Sequence, residues 1–251
     1  MANSVHYGCT SLNGTNKAGL IQPDGNGYRK MVVGALNMFN SAGEYYEYER
    51  AKSLFDNSSQ FMRRVGRGVL KGEYGHPKMI PGQSIQQFAT RVLTIDEQNV
   101  CAHFREIWLD FDSVKDKDGK AVVAIMAWVK PSGPMGQYLA QSLENSDENV
   151  CFSIRAFTDD KMEGRVKKRI LKTIVTFDHV LEPGMAVAEK YKSPALESFI
   201  DRDIPRAALE DAFARKEGAF AMESGNASAA ELFHAFGWHL PQGATPVWAK
   251  W

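Results

Sequence analysis

The stretch that decides the fold is residues 100–129, which read VCAHFREIWLDFDSVKDKDGKAVVAIMAWV. Within it, residues 100–111 place successive side chains on alternate faces, as a half-buried strand does. Residues 115–120 contain an Asp-Gly pair, which tolerates the positive φ of a hairpin turn, and the β-branched, apolar residues 121–129 supply a return strand. The stretch therefore predicts an antiparallel β-hairpin.

The segments on either side predict further strands and a few helices. Residues 28–48 indicate extended segments that enter a sheet, and residues 150–157 and 166–177 indicate another strand pair. Residues 84–93 carry apolar side chains at the spacing of an amphipathic helix, namely Ile85, Phe88, Ala89 and Val92. The fold class that these patterns predict is α+β.

The ends of the chain differ in composition from its middle. Residues 1–27 hold Asn-Gly and Asp-Gly pairs among few large apolar side chains, which favours turns and predicts a flexible N-terminal arm. Residues 28–185 carry the predicted strands and form one domain. Beyond Pro183-Gly184 the composition shifts to Ala, Glu and Lys, so we expect residues 186–251 to be a helical or removable C-terminal segment.

Composition and charge narrow the class of protein. The chain has 251 residues, of which 44% are hydrophobic and 24% charged, as in ordinary globular proteins. Because 30 basic and 30 acidic residues give a net charge of zero, neither nucleic acid nor a membrane is expected as a partner. Three widely spaced cysteines argue against disulfides and against a Cys-x-x-Cys zinc site. No long apolar run or signal pattern is present, and we expect a soluble protein without metal or cofactor.

The strongest chemical signal is a histidine in the motif Gly72-Glu73-Tyr74-Gly75-His76-Pro77. The flanking glycine leaves room around the imidazole, and the flanking proline fixes the backbone. Among the six histidines, His76 alone stands in such a loop ahead of a predicted helix. This setting suits a general base.

A predicted strand supplies the matching nucleophile, in the run Val150-Cys151-Phe152-Ser153-Ile154-Arg155. Cys151, Ser153 and Arg155 share one face of that strand because side chains alternate along it. A serine hydroxyl needs a base that takes its proton and a third group that holds the base in the right tautomer. The pairing with His76 predicts a serine hydrolase. Ser153 lies outside any Gly-x-Ser-x-Gly elbow, which argues against an α/β-hydrolase.

Two adjacent residues can serve as the third group. Asp178 and His179 lie at the end of the return strand and point to opposite faces of it. We favour Asp178, because a carboxylate both orients the imidazole and stabilises its protonated form. His179 stays open as the alternative.

Together these motifs resemble the head-maturation, or prohead, proteases of large tailed bacteriophages. The resemblance spans roughly residues 30–185 and rests on the histidine motif, the Phe-Ser-Ile-Arg run and residues 176–183 in that order. It implies a fold similar to herpesvirus assemblin, which is a small, mostly antiparallel β-barrel surrounded by helices. It also implies that Ser153 is the nucleophile, that His76 is the base, and that Arg155 lies near the oxyanion or the substrate.

The function that the resemblance implies is that of a serine endopeptidase inside the viral procapsid, in the host cytoplasm. The expected partners are phage scaffold and capsid proteins, which it cuts, often after glutamate, and finally the protease itself. The resemblance leaves room for a homo-oligomer. Cutting after glutamate requires a cationic pocket, for which Arg155 and Arg105 are candidates by charge. The C-terminal segment holds candidate self-cleavage sites in small-x-Glu sequences, namely Glu197, Glu210, Glu223 and Glu231.

Two other classes of protein stay open. One is a non-enzymatic capsid or scaffold component that keeps the barrel without its chemistry. The other is a different hydrolase, either an esterase or a cysteine enzyme that uses Cys151. This cysteine lies on a predicted strand, where a buried and inert thiol is the usual outcome.

Overall fold

The computed structural model describes residues 4–13, 21, 23–40, 43–116, 118–181 and 200–209. The strands are β1 (Ser4–Asn13), β2 (Arg29–Leu36), β3 (Met38–Phe39), β4 (Tyr45–Tyr46), β5 (Lys71–Glu73), β6 (Val100–Asp110), β7 (Val123–Pro131), β8 (Cys151–Glu163), β9 (Val166–Val180) and β10 (Ile200–Pro205). The α-helices are α1 (Gln60–Gly66), α2 (Ile85–Leu93) and α3 (Gly136–Glu144), and Lys52–Phe55 and Glu97–Asn99 form short 3-10 helices. In the described part of the chain, no helix has the length and apolar character needed to cross a membrane.

The described strands pair into two sheets. One has the order β10-β1-β8-β9-β4-β3 and the other the order β2-β7-β6-β5. Neighbouring strands run antiparallel, apart from the parallel pair of β4 and β9. The predicted mixture of helices and antiparallel strands is confirmed. The expected closed barrel is not found among the described residues, because each sheet keeps two unpaired edges, β10 and β3 in one and β2 and β5 in the other.

The hairpin predicted from residues 100–129 is confirmed as β6 and β7. Ala102 lies opposite Pro131 at one end of the pair, and Asp110 lies opposite Ala124 at the other. Gly119, in the connecting turn, has φ +78°, a value that glycine adopts without strain. The local turn and the alternation of side chains therefore determine this unit, as the sequence indicated.

The main core lies between the two sheets. Phe104 of β6 contacts Phe152 and Phe177 of the larger sheet, with ring centroids 5.7 and 5.6 Å apart. Gly34 of β2 faces Ile154 so closely that a Cβ at this glycine would lie 2.7 Å from Ile154 Cδ1. The inner faces of the sheets are thus packed directly against each other.

Helix α2 covers the opposite face of the larger sheet. Ser84 begins the helix with a capping box, in which its hydroxyl accepts from the Gln87 amide and the Gln87 side chain binds back to the Ser84 amide. The apolar side of α2, with Phe88 and Val92, packs in one cluster with residues of the sheet and of the C-terminal part, namely Phe157, Val175, Ile204, Ala208 and Leu209. The last turn of the helix thereby lies beside β8 and β9.

Both ends of the chain contribute to the larger sheet, which differs from the expected organisation. Ser4–Asn13 were expected in a flexible arm, yet they form β1 between β8 and β10. Ile200–Pro205 were expected in a helical or removable segment, yet they form β10 at the edge of this sheet. The reason lies in long-range pairing, because β1 needs the edge of β8 as its partner and β10 needs β1.

Candidate active site

The candidate nucleophile lies in the middle of the larger sheet. Ser153 stands directly opposite Asp178 in the antiparallel ladder of β8 and β9. Directly opposite residues of such a ladder project to the same face, with Cβ atoms about 4.5 to 5.5 Å apart. Ser153 is fully buried, and its hydroxyl has no hydrogen-bond partner among the described residues. The serine and the aspartate predicted from sequence are therefore neighbours in space.

The candidate base is brought to Asp178 by the loop that follows β5. The Gly75 amide donates to the carbonyl oxygen of His179 over 2.6 Å, and Gly75 has φ +81°. The Tyr74 amide donates to the Asn99 carbonyl oxygen over 2.9 Å. These bonds fix the loop beside the end of β9, and His76 Nδ1 lies 3.0 Å from Asp178 Oδ2. Gly75 thus permits the turn that places the imidazole.

The carboxylate of Asp178 is held from several sides. Besides His76 at Oδ2, it accepts from Arg155 Nε at Oδ2 over 2.8 Å and from Arg155 Nη2 at Oδ1 over 2.7 Å. The Glu73 amide donates to Oδ1 over 3.2 Å. Burial alone would raise the pKa of Asp178, but the charge of Arg155 and the hydrogen bond from His76 outweigh it and hold the pKa below its usual value. Asp178 is therefore ionised near neutral pH.

Arg155 does not occupy the environment expected from the resemblance. It is fully buried, and its guanidinium binds Asp178, Glu73 and the carbonyl oxygen of Thr94. A guanidinium committed to two buried carboxylates supports the carboxylate behind the imidazole instead of facing an oxyanion or a substrate. Arg105, the other cationic candidate, lies on β6 and binds Asp24 over 2.8 Å. Neither arginine offers its charge to an incoming glutamate in this structure.

Glu73 and Arg91 complete the cluster, and no sequence pattern predicts a role for either of them. Glu73 is fully buried, and its Oε1 accepts from Arg91 Nη1 over 2.9 Å and from the Asp96 amide over 2.9 Å. A second contact joins Arg91 Nη2 to Glu73 Oε2. The usable signals were the place of Glu73 inside the histidine motif and the place of Arg91 beside the apolar stripe of α2.

The two alternative residues have surroundings that do not suit catalysis. His179 lies opposite Phe152 in the ladder, on the face away from Ser153, and its ring packs on Tyr74 with centroids 5.1 Å apart. Burial lowers the pKa of His179 to about 4. Burial also raises the pKa of Cys151 to about 12, which leaves the thiol protonated at neutral pH. These surroundings favour Asp178 over His179 and disfavour a cysteine nucleophile.

The four candidate self-cleavage sites, Glu197, Glu210, Glu223 and Glu231, lie outside the described residues.

Comparison with known proteins gives the class of this chain. Its residues 7–233 match the model of the Peptidase S80 family. It is 38% identical over 205 residues to the capsid maturation protease of Pseudomonas phage phiKZ. The aligned region covers 80% of this chain and 74% of the relative. The solved structure of the bacteriophage T4 capsid assembly protease gp21 aligns with a TM-score of 0.45 and 12% identity, over 70% of this chain and 96% of that chain.

The family model and the relative in phage phiKZ define the chain as a peptidase. It belongs to the Peptidase S80 family. The resemblance to phage prohead proteases, which rested on the histidine and serine motifs, is thereby confirmed.

Proposed function

We propose that this peptidase is a serine endopeptidase that acts in the head maturation of a tailed bacteriophage. Ser153 is the nucleophile, His76 is the general base and Asp178 is the third member of the triad. The observation that carries the proposal is the ladder position of Ser153 opposite Asp178, together with the 3.0 Å contact between Asp178 Oδ2 and His76 Nδ1.

The reaction follows from the roles of these groups. Ser153 Oγ attacks the carbonyl carbon of the peptide bond while His76 Nε2 takes the hydroxyl proton, and Asp178 stabilises the imidazolium at Nδ1. The proton then passes from Nε2 to the leaving amine as the C–N bond breaks, which leaves an acyl group on Ser153. A water molecule, deprotonated by His76, hydrolyses this ester, and the same proton returns to the serine.

The substrates follow from the relative in phage phiKZ, which is a capsid maturation protease. We extend this role to the present chain, with scaffold and capsid proteins as substrates and the interior of a procapsid as the place of action. Cleavage after glutamate and self-cleavage in the tail are part of the proposal, and the small-x-Glu sequences support them. Because Arg155 and Arg105 bind carboxylates of the chain itself, another cation must receive the substrate glutamate. The likeness to herpesvirus assemblin stays a prediction.

The test is expression of the wild-type chain beside Ser153→Ala, followed by intact mass measurement. We expect a shortened wild-type chain that ends after one of the tail glutamates and a full-length variant. His76→Ala should stay full-length as well, because the hydroxyl is a poor nucleophile without its base. A fluorophosphonate probe with peptide mapping should label Ser153 in the wild type.

Ser142→Ala provides a matched control, because Ser142 is also buried but its hydroxyl binds Glu148 over 2.7 Å in another part of the molecule. This variant should be processed and labelled like the wild type. A label on Cys151 would support the cysteine enzyme instead. Equal masses of wild type and Ser153→Ala, together with the lack of any label, would support the non-enzymatic capsid component.

A further inference from the structure

A network of alternating charges lies behind the imidazole. It runs from His76 through Asp178, Arg155 and Glu73 to Arg91, and each member binds the next at hydrogen-bond distance. Arg155 Nη2 is shared, since it lies 2.7 Å from Asp178 Oδ1 and 3.0 Å from Glu73 Oε1. This network of ion pairs therefore links β9, β8, β5 and α2.

We propose that Glu73 and Arg91 are positioning residues that set the negative charge available to His76 through Arg155 and Asp178. This inference rests on the proposed function, in which His76 is the base. No hydrogen bond or ion pair given for the described residues joins the side chain of Glu73 or Arg91 to Ser153 or His76, so both act through Arg155 and Asp178.

The charge balance explains why a second carboxylate is needed. A single arginine bound to Asp178 would neutralise the aspartate and weaken its hold on a protonated imidazole. Glu73 divides the charge of Arg155 between two carboxylates, so the three fully buried groups together carry one negative charge. Arg91, whose side chain is 25% exposed, carries a positive charge that balances this negative charge. The imidazolium formed during catalysis therefore faces three buried groups with one net negative charge, while the positive charge of Arg91 lies at the other, partly exposed end of the network.

The other ionisable groups close to this cluster carry little charge near neutral pH or are bound elsewhere. Burial raises the pKa of Cys101 on β6, and burial lowers the pKa of His179 on β9 to about 4, so both groups are neutral. The carboxylate of Asp96, after α2, accepts from the Gln98 amide over 3.1 Å, while its own amide binds Glu73. Because Asp96, and Lys78 two positions after His76, keep the same charge in every variant tested, differences in the His76 titration midpoint report the charges of the network.

The experiment is an NMR titration of the His76 imidazole in the full chain carrying Ser153→Ala, which prevents self-cleavage. With Glu73→Gln we expect the titration midpoint to fall, because the imidazolium loses a negative charge. With Arg91→Gln we expect it to rise, because a positive charge is lost. Each shift should be roughly half to one pH unit. The double variant should titrate close to the starting protein, and Arg91→Lys should change little because it keeps the charge.

Glu44→Gln is a matched control. Glu44 is also buried and bound by two cations, Arg169 and Lys167. Both cations stand near the start of β9, whereas Asp178 stands near its end. This variant should lose stability to a similar degree and leave the His76 midpoint unchanged. If Glu73→Gln does not fold, Arg91→Gln alone tests the inference. The side chain of Arg91 is partly exposed, so this variant should fold, and the His76 midpoint must rise in it.

Midpoints that stay constant, or that move in the same direction in both single variants, would overturn the inference. In the chain with Ser153 intact, the acid limb of kcat/KM for a peptide substrate should move with the NMR midpoints. If the midpoints move as expected and the acid limb does not, the positioning role stands and the proposed role of His76 as base is wrong.

Discussion

At the scale of single residues, Asp178 holds a negative charge beside the imidazole of His76. Its pKa lies below the usual 3.8, because the charge of Arg155 and the bond from His76 outweigh the effect of burial. A carboxyl group with a lowered pKa in the folded state contributes stability that is present at neutral pH and is lost as the pH falls through the folded pKa. The site therefore stays assembled throughout the neutral range.

Asp178→Asn tests this role directly. The amide keeps the shape of the carboxylate but cannot hold the productive tautomer or stabilise the imidazolium, so we expect kcat/KM to fall by roughly a thousandfold or more. Steady-state kinetics on a peptide with a small-x-Glu sequence would measure the fall. Asp159→Asn, on the same hairpin but away from the site, should keep nearly full activity. A residual activity above a tenth of the wild type would exclude Asp178 as the third member.

Sequence patterns predicted His76 and Ser153 as site residues because each stands in a short local motif. The choice between Asp178 and His179 could not be made in the same way, because alternation says only that they face opposite sides. The register of β8 against β9 decides which of them faces Ser153, and register is a tertiary property. The contacts of Arg155 were also beyond local patterns, since its partners come from β5, β9 and the residues after α2.

At the scale of elements, β5 is the strand that brings the histidine loop to the larger sheet. Gly72 lies against β9 so closely that a Cβ would stand 2.3 Å from the carbonyl oxygen of Phe177 and 2.9 Å from Phe104 Cε2. Only a residue without a side chain permits this approach. Gly72 therefore allows β5 to pack against β9, while the next residue, Glu73, belongs to the charge network.

Gly72→Ala should push β5 away from β9 and displace Glu73 and His76 with it. We expect a loss of about 1 to 3 kcal/mol in the free energy of unfolding, measured by urea denaturation, and a larger loss of activity than of stability. Gly66→Ala, at the end of α1, is the control, because a Cβ there meets nothing within 4 Å. Equal stability of Gly72→Ala and the wild type would mean that β5 can shift freely.

Elements with strong local signals matched their predictions, and elements without them did not. The β6–β7 hairpin and α2 followed from a turn pair and an apolar stripe. The short strand β5 gave no periodic signal, and Ser4–Asn13 were placed in a flexible arm because the surrounding residues favour turns. Such strands are determined by their neighbours in the sheet, which a local pattern does not contain.

At the scale of the whole molecule, residues 204–209 of the C-terminal part are connected through α2 to the candidate active site. Ile204, Ala208 and Leu209 are buried against α2, and α2 carries Arg91 of the charge network. Removal of these residues would expose the apolar face of α2. Self-cleavage that preserves the enzyme should therefore occur at Glu210 or later, and not at Glu197.

Truncation distinguishes these sites. In the Ser153→Ala background, a chain that ends at Glu210 should melt close to the full-length protein. A chain that ends at Glu197 loses the burial of Ile204 and Leu209, about 3 to 6 kcal/mol, so its Tm should be roughly 10 °C lower. Differential scanning calorimetry would compare the three proteins. Equal Tm values would show that residues 198–209 are dispensable.

Because the proposed nucleophile Ser153 is completely buried, its hydroxyl becomes accessible to a peptide bond only after the protein opens locally. The rate of hydrolysis then contains the free energy of opening in addition to that of bond cleavage. A peptidase in this closed form stays inactive until it opens. Whatever raises the population of the open state would set the moment at which cleavage starts.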